Sequence, residues 1–255
     1  MDILDTIVDK TRALVAQRSR LVSLEELRDR PASPTRSLKA RLPESGPRVI
    51  AEFKRKSPSR PNINLDADPV AVAQAYEAGG AVAMSVLTEP HFFAGSRADL
   101  SRIRAVTEMP LLRKDFVIDA YQIHEARALG ADLVLLIARI LTSDQLAAFC
   151  ELSHRLGMEV LCEIHHPDEL AQVGPTPVDF LGVNCRDLTR FTTDLDHLVA
   201  LAKELPAGIP LVAESGIAGP EDVRRLYASG YALFLVGEYL MKRDDPAAAL
   251  RELCS

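Results

Sequence analysis

Short apolar runs alternate with amphipathic stretches along most of this chain. From Arg48 onward eight runs stand out: Val49 to Phe53, Ala81 to Leu87, Pro110 to Leu112, Leu133 to Ile137, Glu159 to Glu163, Phe180 to Asn184, Pro210 to Glu214 and Ala232 to Val236. Each has the length of a strand and is close to continuously apolar, as a strand covered on both faces requires. Their ends (Glu52, Leu87, Leu112, Ile137, Glu163, Asn184, Glu214, Val236) lie 21 to 35 residues apart, which is the spacing of strand–helix units. Between them fall helical stripes such as Leu146, Phe149, Cys150, Ser153 and Leu156, or Val223, Leu226 and Tyr227. Glycines stand where those helices should stop, at Gly79-Gly80, Gly130, Gly157 and Gly230. Eight such units predict an α/β fold, a closed (β/α)8 TIM barrel spanning residues 48–255. A doubly wound open sheet is the runner-up, but no G-x-G-x-x-G follows the first strand and no Walker A loop is present.

The first 47 residues follow a different pattern. Ile3, Leu4, Ile7, Val8, Leu14 and Val15 make one helical stripe, and Ser23 to Glu26 reads as a capping box opening a second short helix. Pro31 to Pro47 carries four prolines and little periodicity, so it is expected to be an ordered linker, with Leu38 and Leu42 as its apolar anchors. Residues 1–47 are thus expected to be an N-terminal helical extension packed against one end of the barrel, giving one structural domain overall.

Composition narrows the functional classes. Hydrophobic residues at 47% supply a sizeable core, while a net charge of -6 excludes a general nucleic-acid or anionic-membrane surface. An anionic ligand must therefore be caught by a local cationic pocket. Cys150, Cys162, Cys185 and Cys254 are far apart with no CxxC, which reads as reduced thiols. Asp2 and Asp5 interrupt the N-terminal apolar pattern, and no run reaches the roughly 18 apolar residues of a membrane span. A cytoplasmic, membrane-free protein is expected, working as a monomer.

Barrel enzymes carry their chemistry at the C-terminal ends of the strands. Here those ends present Glu52 and Lys54, Ser85, Arg113 and Lys114, Glu163, Asn184 and Arg186, Glu214 with Ser215-Gly216, and Gly237. Glu52 and Lys54 are two apart on a strand and face the same side. Three carboxylates and two lysines converging on one mouth point to catalysis more strongly than to a structural ion-pair network. His165-His166 and Cys162 flank Glu163, but no second His/Cys cluster has ligand spacing and alternation turns Cys162 away from Glu163. No metal is expected. The basic run Lys54, Arg55, Lys56, Arg60 is short and reads as a phosphate-substrate loop.

Several motifs make the chain similar to a known family. Glu-Phe-Lys-Arg-Lys-Ser-Pro-Ser (52–59), Ser-Val-Leu-Thr-Glu-Pro-His-Phe-Phe-Ala-Gly-Ser (85–96), Leu-Arg-Lys-Asp-Phe (112–116), Asn-Cys-Arg-Asp-Leu (184–188), Ala-Glu-Ser-Gly-Ile (213–217) and Phe-Leu-Val-Gly-Glu (234–238) resemble indole-3-glycerol phosphate synthase. The resemblance covers essentially the whole chain. It implies ring closure of an anthranilate-derived sugar phosphate, 1-(2-carboxyphenylamino)-1-deoxyribulose 5-phosphate, to indole-3-glycerol phosphate, with loss of carbon dioxide and water and with no metal or organic cofactor.

The residues suit that chemistry. A ring carbon must attack a ketone, so an acid has to protonate the carbonyl oxygen, and Lys114 is the candidate. Lys54 is placed to hold the substrate carboxylate, or else to pair with Glu52 alone. Glu163 is the expected base in the dehydration, with Glu52 orienting Lys114. Asn184 and Glu214 are expected to take substrate hydroxyls, with a structural carboxylate as the alternative for Glu214, and Arg186 to brace a loop or a carboxylate. Backbone N–H groups of Ser215, Gly216, Gly237 and Glu238 are expected to receive the phosphate, Leu235 belonging to the same motif and Ser57 assisting. Phe93, Phe116 and Leu188 are similar to the family's apolar wall. If the two ammoniums stand about 6 Å apart at an effective dielectric near 20, they repel by around 3 kcal/mol, which predicts a lowered pKa for Lys114. Cys185 and Arg36 depart from the family pattern and are expected to alter substrate fit. The rivals are a paralogue serving another indole pathway and a catalytically silent phosphate-binding barrel. Phosphoribosylanthranilate isomerase needs a cysteine where Ala51-Glu52 stands, and tryptophan synthase α-type cleavage uses paired carboxylates without this lysine pair.

Overall fold

The computed structural model describes residues 3–31, 33–42, 46–186 and 193–255. Eight parallel strands close on themselves in sequence order: β1 (Arg48–Phe53), β2 (Ala83–Leu87), β3 (Leu111–Lys114), β4 (Leu133–Ile137), β5 (Glu159–Ile164), β6 (Phe180–Asn184), β7 (Leu211–Glu214) and β8 (Leu233–Val236). β1 pairs with both β2 and β8, so no edge is left open. Before the barrel come α1 (Ile3–Leu21) and α2 (Leu24–Arg28). Around it run α3 (Pro69–Ala78), α4 (Arg97–Arg104), α5 (Ala120–Ala128), α6 (Ser143–Arg155), α7 (Leu170–Val173), α8 (Leu195–Leu201), α9 (Pro220–Ala228), α10 (Glu238–Met241) and α11 (Pro246–Leu253).

The apolar runs mark the strands to within two residues, and their alternation separates two cores. One set, including Ile50, Ala83, Leu112, Leu133, Leu161, Phe180, Val212 and Leu233, packs inside the barrel. Their neighbours Val49, Met84, Leu111, Val134, Val160, Leu181, Ala213 and Phe234 pack against the helices. β3 differs from the sequence expectation in a way that matters. It does not stop at Leu112 but continues to Lys114, which is held in the ladder opposite Leu87. Arg113 consequently points outward, fully buried, donating to Asp115, Glu125, Thr88 and the Gln122 carbonyl. It is a structural ion-pair centre between barrel and α5, and it stands outside the mouth.

The N-terminal extension touches both ends of the barrel rather than one. Leu4 and Ile7 of α1 pack into the inner core at the C-terminal mouth. Further along, Val15 and Leu27 meet Tyr121 of α5, and Arg18 reaches Glu125. The Ser23–Glu26 capping box forms as expected. The linker then carries Leu38 into the opposite end, where Ser37 and the Leu38 amide bond Glu159 at the start of β5. Arg36 sits there too, its amide on Asp132 and its guanidinium on Glu108. That end is remote from the strand C-termini, so Arg36 has no part in substrate fit. Among the described residues no helix is long and apolar enough to cross a membrane, and all four cysteines are unpaired.

Candidate active site

On β1, β3, β5 and β7 the inward-facing file turns from apolar to polar in its last positions. On β1, Ile50 is followed inward by Glu52 and then Lys54; on β3, Leu112 by Lys114; on β5, Leu161 by Glu163; on β7, Val212 by Glu214. These side chains enter a cavity of about 540 Å³ at the C-terminal mouth. Ser57, Phe93, Phe116, Asn184, Arg186, Ser215, Gly216, Leu235, Gly237 and Glu238 line the same cavity, so the expected constellation is brought together. Leu188 lies outside the described residues.

At its centre the Lys114 ammonium stands 3.0 Å from Glu163 Oε2 and 3.2 Å from Glu214 Oε2. Burial opposes the charge on Lys114, yet Glu163, Glu214 and Glu52 together outweigh it and raise its proton affinity. The lowered pKa expected from repulsion by Lys54 is therefore corrected: three carboxylates around one buried ammonium dominate. Lys54 instead pairs with Glu52, so Glu52 does not orient Lys114 directly; Glu163 and Glu214 do. Burial disfavours ionised Glu163, but Lys114 and then His165 hold its pKa well below the ordinary value. Glu214 goes the other way, because burial and the neighbouring Glu163 charge exceed the help from Lys114. The cluster thus carries one ammonium, one carboxylate and one carboxyl that keeps its proton near neutrality.

Second contacts set the geometry. Asn184 donates to Glu163 Oε1 at 3.2 Å, leaving Oε2 for Lys114. Gly182, two residues before Asn184, is where Glu214 finds room, since a Cβ there would overlap the Glu214 carboxylate. Gly237 does the same for Glu52.

The remaining parts divide into an apolar wall and a polar rim. Phe93 and Phe116 face each other with ring centroids 6.0 Å apart, beside Leu4, Leu135 and Ile137. Phe93 is presented by a loop wound around the buried Glu89 carboxylate, which accepts the amides of His91, Phe92 and Phe93. Across the cavity, Ser215 and Gly216 adopt consecutive left-handed conformations at φ 69° and 76°. Gly216 carries no side chain, so a ligand can approach the backbone closely there. Glu238 gives its carboxylate to Lys242 at 2.6 Å and to Arg60 at 3.4 Å, leaving only its backbone for a ligand. Arg186 bonds Ser59 Oγ and so ties the loop after β6 to the loop after β1.

Part of the basic run is structural. Arg55 turns away to Asp99 and stacks on Phe53, and Lys56 caps the His91 carbonyl. Cys185 is buried in the outer core with its thiol toward the Ser215 carbonyl, not in the cavity, so the expected effect on substrate fit has no geometric basis. Cys162 faces the outer core as alternation required. Sequence reasoning missed Leu4, Ser59, Lys242 and, most of all, His165, which follows Glu163 at the same-face spacing of two.

A family model described as indole-3-glycerol phosphate synthase matches residues 4–253. The chain belongs to the indole-3-glycerol phosphate synthase family. It is 45% identical over 257 residues to the indole-3-glycerol phosphate synthase of Salinibacter ruber, covering 99% of this chain and 95% of that one. Against the namesake of Rhodopirellula baltica it is 43% identical, with 99% of each chain covered. Among solved structures, a 3-hexulose-6-phosphate synthase superposes with a TM-score of 0.66 at 14% identity over 81% of this chain and 97% of that chain. The thiamine phosphate pyrophosphorylase of Pyrococcus furiosus superposes at 0.61 and 18% over 85% of this chain and 96% of that chain. Those two likenesses concern the barrel fold alone.

Proposed function

We propose that this member of the indole-3-glycerol phosphate synthase family converts 1-(2-carboxyphenylamino)-1-deoxyribulose 5-phosphate to indole-3-glycerol phosphate in tryptophan biosynthesis, as a cytoplasmic monomer needing no metal or organic cofactor. The observation that carries the reading is Lys114 suspended between Glu163 and Glu214 inside a cavity lined by the Phe93–Phe116 pair and by the Ser215-Gly216 turn.

Phe93 and Phe116 hold the aryl ring, the Ser215 and Gly216 amides and Gly237 hold the phosphate, and the chain between them crosses Lys114. Lys54 holds the ring carboxylate once it exchanges part of its contact with Glu52, which orients the ring carbon toward the ketone. Lys114 is a weak acid at rest. It becomes a competent donor only as negative charge develops on the ketone oxygen, a far stronger base than the ground-state carbonyl.

Proton transfer from Lys114 has a consequence for Glu163. The ammonium is the chief attraction keeping Glu163 ionised, so its neutralisation raises the proton affinity of Glu163 and readies it as base for the later dehydration. Acid and base roles are ordered in time by one ion pair. Glu214 and Asn184 take substrate hydroxyls.

The test mixes purified protein with that substrate and follows indole fluorescence, wild type beside Lys114→Ala. Product formation abolished by the substitution supports both reaction and acid; wild-type binding without turnover overturns the reading.

A further inference from the structure

His165 is the one imidazole lining the cavity among the described residues, and it has no role in the scheme above. It follows directly on β5, on the same inward face as Glu163. The residue is 6% exposed, and neither Nδ1 nor Nε2 has a hydrogen-bond partner within the protein. Its backbone, by contrast, is fully engaged: the N–H donates to Glu169 and the carbonyl accepts from His197. The main chain is thus pinned while the ring, buried at the cavity wall, keeps both nitrogens unpartnered. An unpaired buried polar group costs about 1–3 kcal/mol, so a ring held this way is strongly biased toward a ligand that supplies the missing partner.

Its neighbours define what that ligand group is. Nε2 stands 3.7 Å from Glu163 Oε1, too far for a hydrogen bond, and that oxygen is already occupied by Asn184. A second anion beside ionised Glu163 would be repelled, which excludes the phosphate. No group of three metal-binding side chains is present among the described residues, which removes a cation site. A hydroxyl fits, because it can accept from one ring nitrogen and donate elsewhere without adding charge.

We infer that His165 is a further substrate-binding residue, its buried imidazole hydrogen-bonding one of the two secondary hydroxyls of the substrate's sugar chain. The assignment rests on the proposed reaction. By fixing the chain next to Glu163, the contact aligns the carbon from which that base removes a proton.

The experiment is a cycle between protein and substrate. Wild type, His165→Ala and His165→Asn are assayed on the full substrate and on two analogues, each lacking one secondary hydroxyl. Loss of either partner alone should lower kcat/KM about 10- to 100-fold, the range of one buried hydrogen bond. For one analogue, removing both should cost no more than the single change, and Asn, which retains a donor, should recover part of the loss. Thermal unfolding of the Ala variant separates this from misfolding; if Ala does not fold, the Asn variant carries the same cycle. Losses that multiply for both analogues, or a His165→Ala variant as active as wild type, overturn the assignment alone. Absence of wild-type turnover overturns the reaction and this assignment with it.

Discussion

Replacing Lys114 by Met removes the ammonium between the buried Glu163 and Glu214 side chains, and the consequence for stability depends on pH. At an effective dielectric near 20, charges about 3 Å apart attract by about 5 kcal/mol before desolvation is subtracted. Removing one partner of such a buried pair typically costs about 3–5 kcal/mol. In the wild type Glu163 lies below its ordinary pKa, so its contribution to stability is present above the unfolded value near 4.5 and is lost only as pH falls toward 2. Glu214 is raised, so its contribution is present below 4.5 and is lost as pH rises toward 8. Without Lys114, burial is left to dominate both groups, and Glu163 joins Glu214 on the raised side. Between about pH 5 and 7.5 the Glu163–Glu214 pair of the folded variant then holds one more proton than the same pair in the folded wild type, and that proton is taken up on folding. Each extra proton tilts stability by about 1.4 kcal/mol per pH unit. The deficit of Lys114→Met should therefore be small near pH 5 and grow by roughly 3 kcal/mol toward pH 7.5. Urea unfolding of both proteins at pH 5.0, 6.0, 7.0 and 7.5 measures it, with indole fluorescence at each pH recording an activity loss of about 100-fold or more. A deficit independent of pH would refute the ion-pair account of this site.

Further outcomes follow from single contacts. Gly237→Ala places a methyl group against the Glu52 carboxylate and should lower kcat/KM at least about 10-fold while moving the melting temperature little, as substrate titration and thermal unfolding will record. Ser215→Gly relieves a left-handed backbone and leaves the amide in place, so it should be neutral or stabilising by up to about 1 kcal/mol and keep KM within about threefold. Arg113→Leu strips a fully buried cation from Asp115 and Glu125 and should cost about 3–5 kcal/mol in urea unfolding, with kcat per folded molecule largely kept.

How far the sequence reached can be judged residue by residue. Strand count, order and closure were legible, because a doubly covered parallel strand must be apolar on both faces and the helices between must stop at glycine. The convergence of Glu52, Lys54, Lys114, Glu163 and Glu214 was legible too, since a period of two places charges at strand ends on one inward file. The sequence also marked the capping box of α2 and turned Cys162 away from the mouth. Tertiary structure alone decided which carboxylate serves which lysine. Side chains from four strands meet there, and the distances between them depend on strand tilt and on the space that Gly182 and Gly237 leave, none of which is a property of local sequence. That is why Lys114 binds its proton more tightly rather than less. The same reason hid His165 and Leu4: a ring without partners and a helix turn reaching the mouth exist only once β5 and α1 have been folded around a shared cavity.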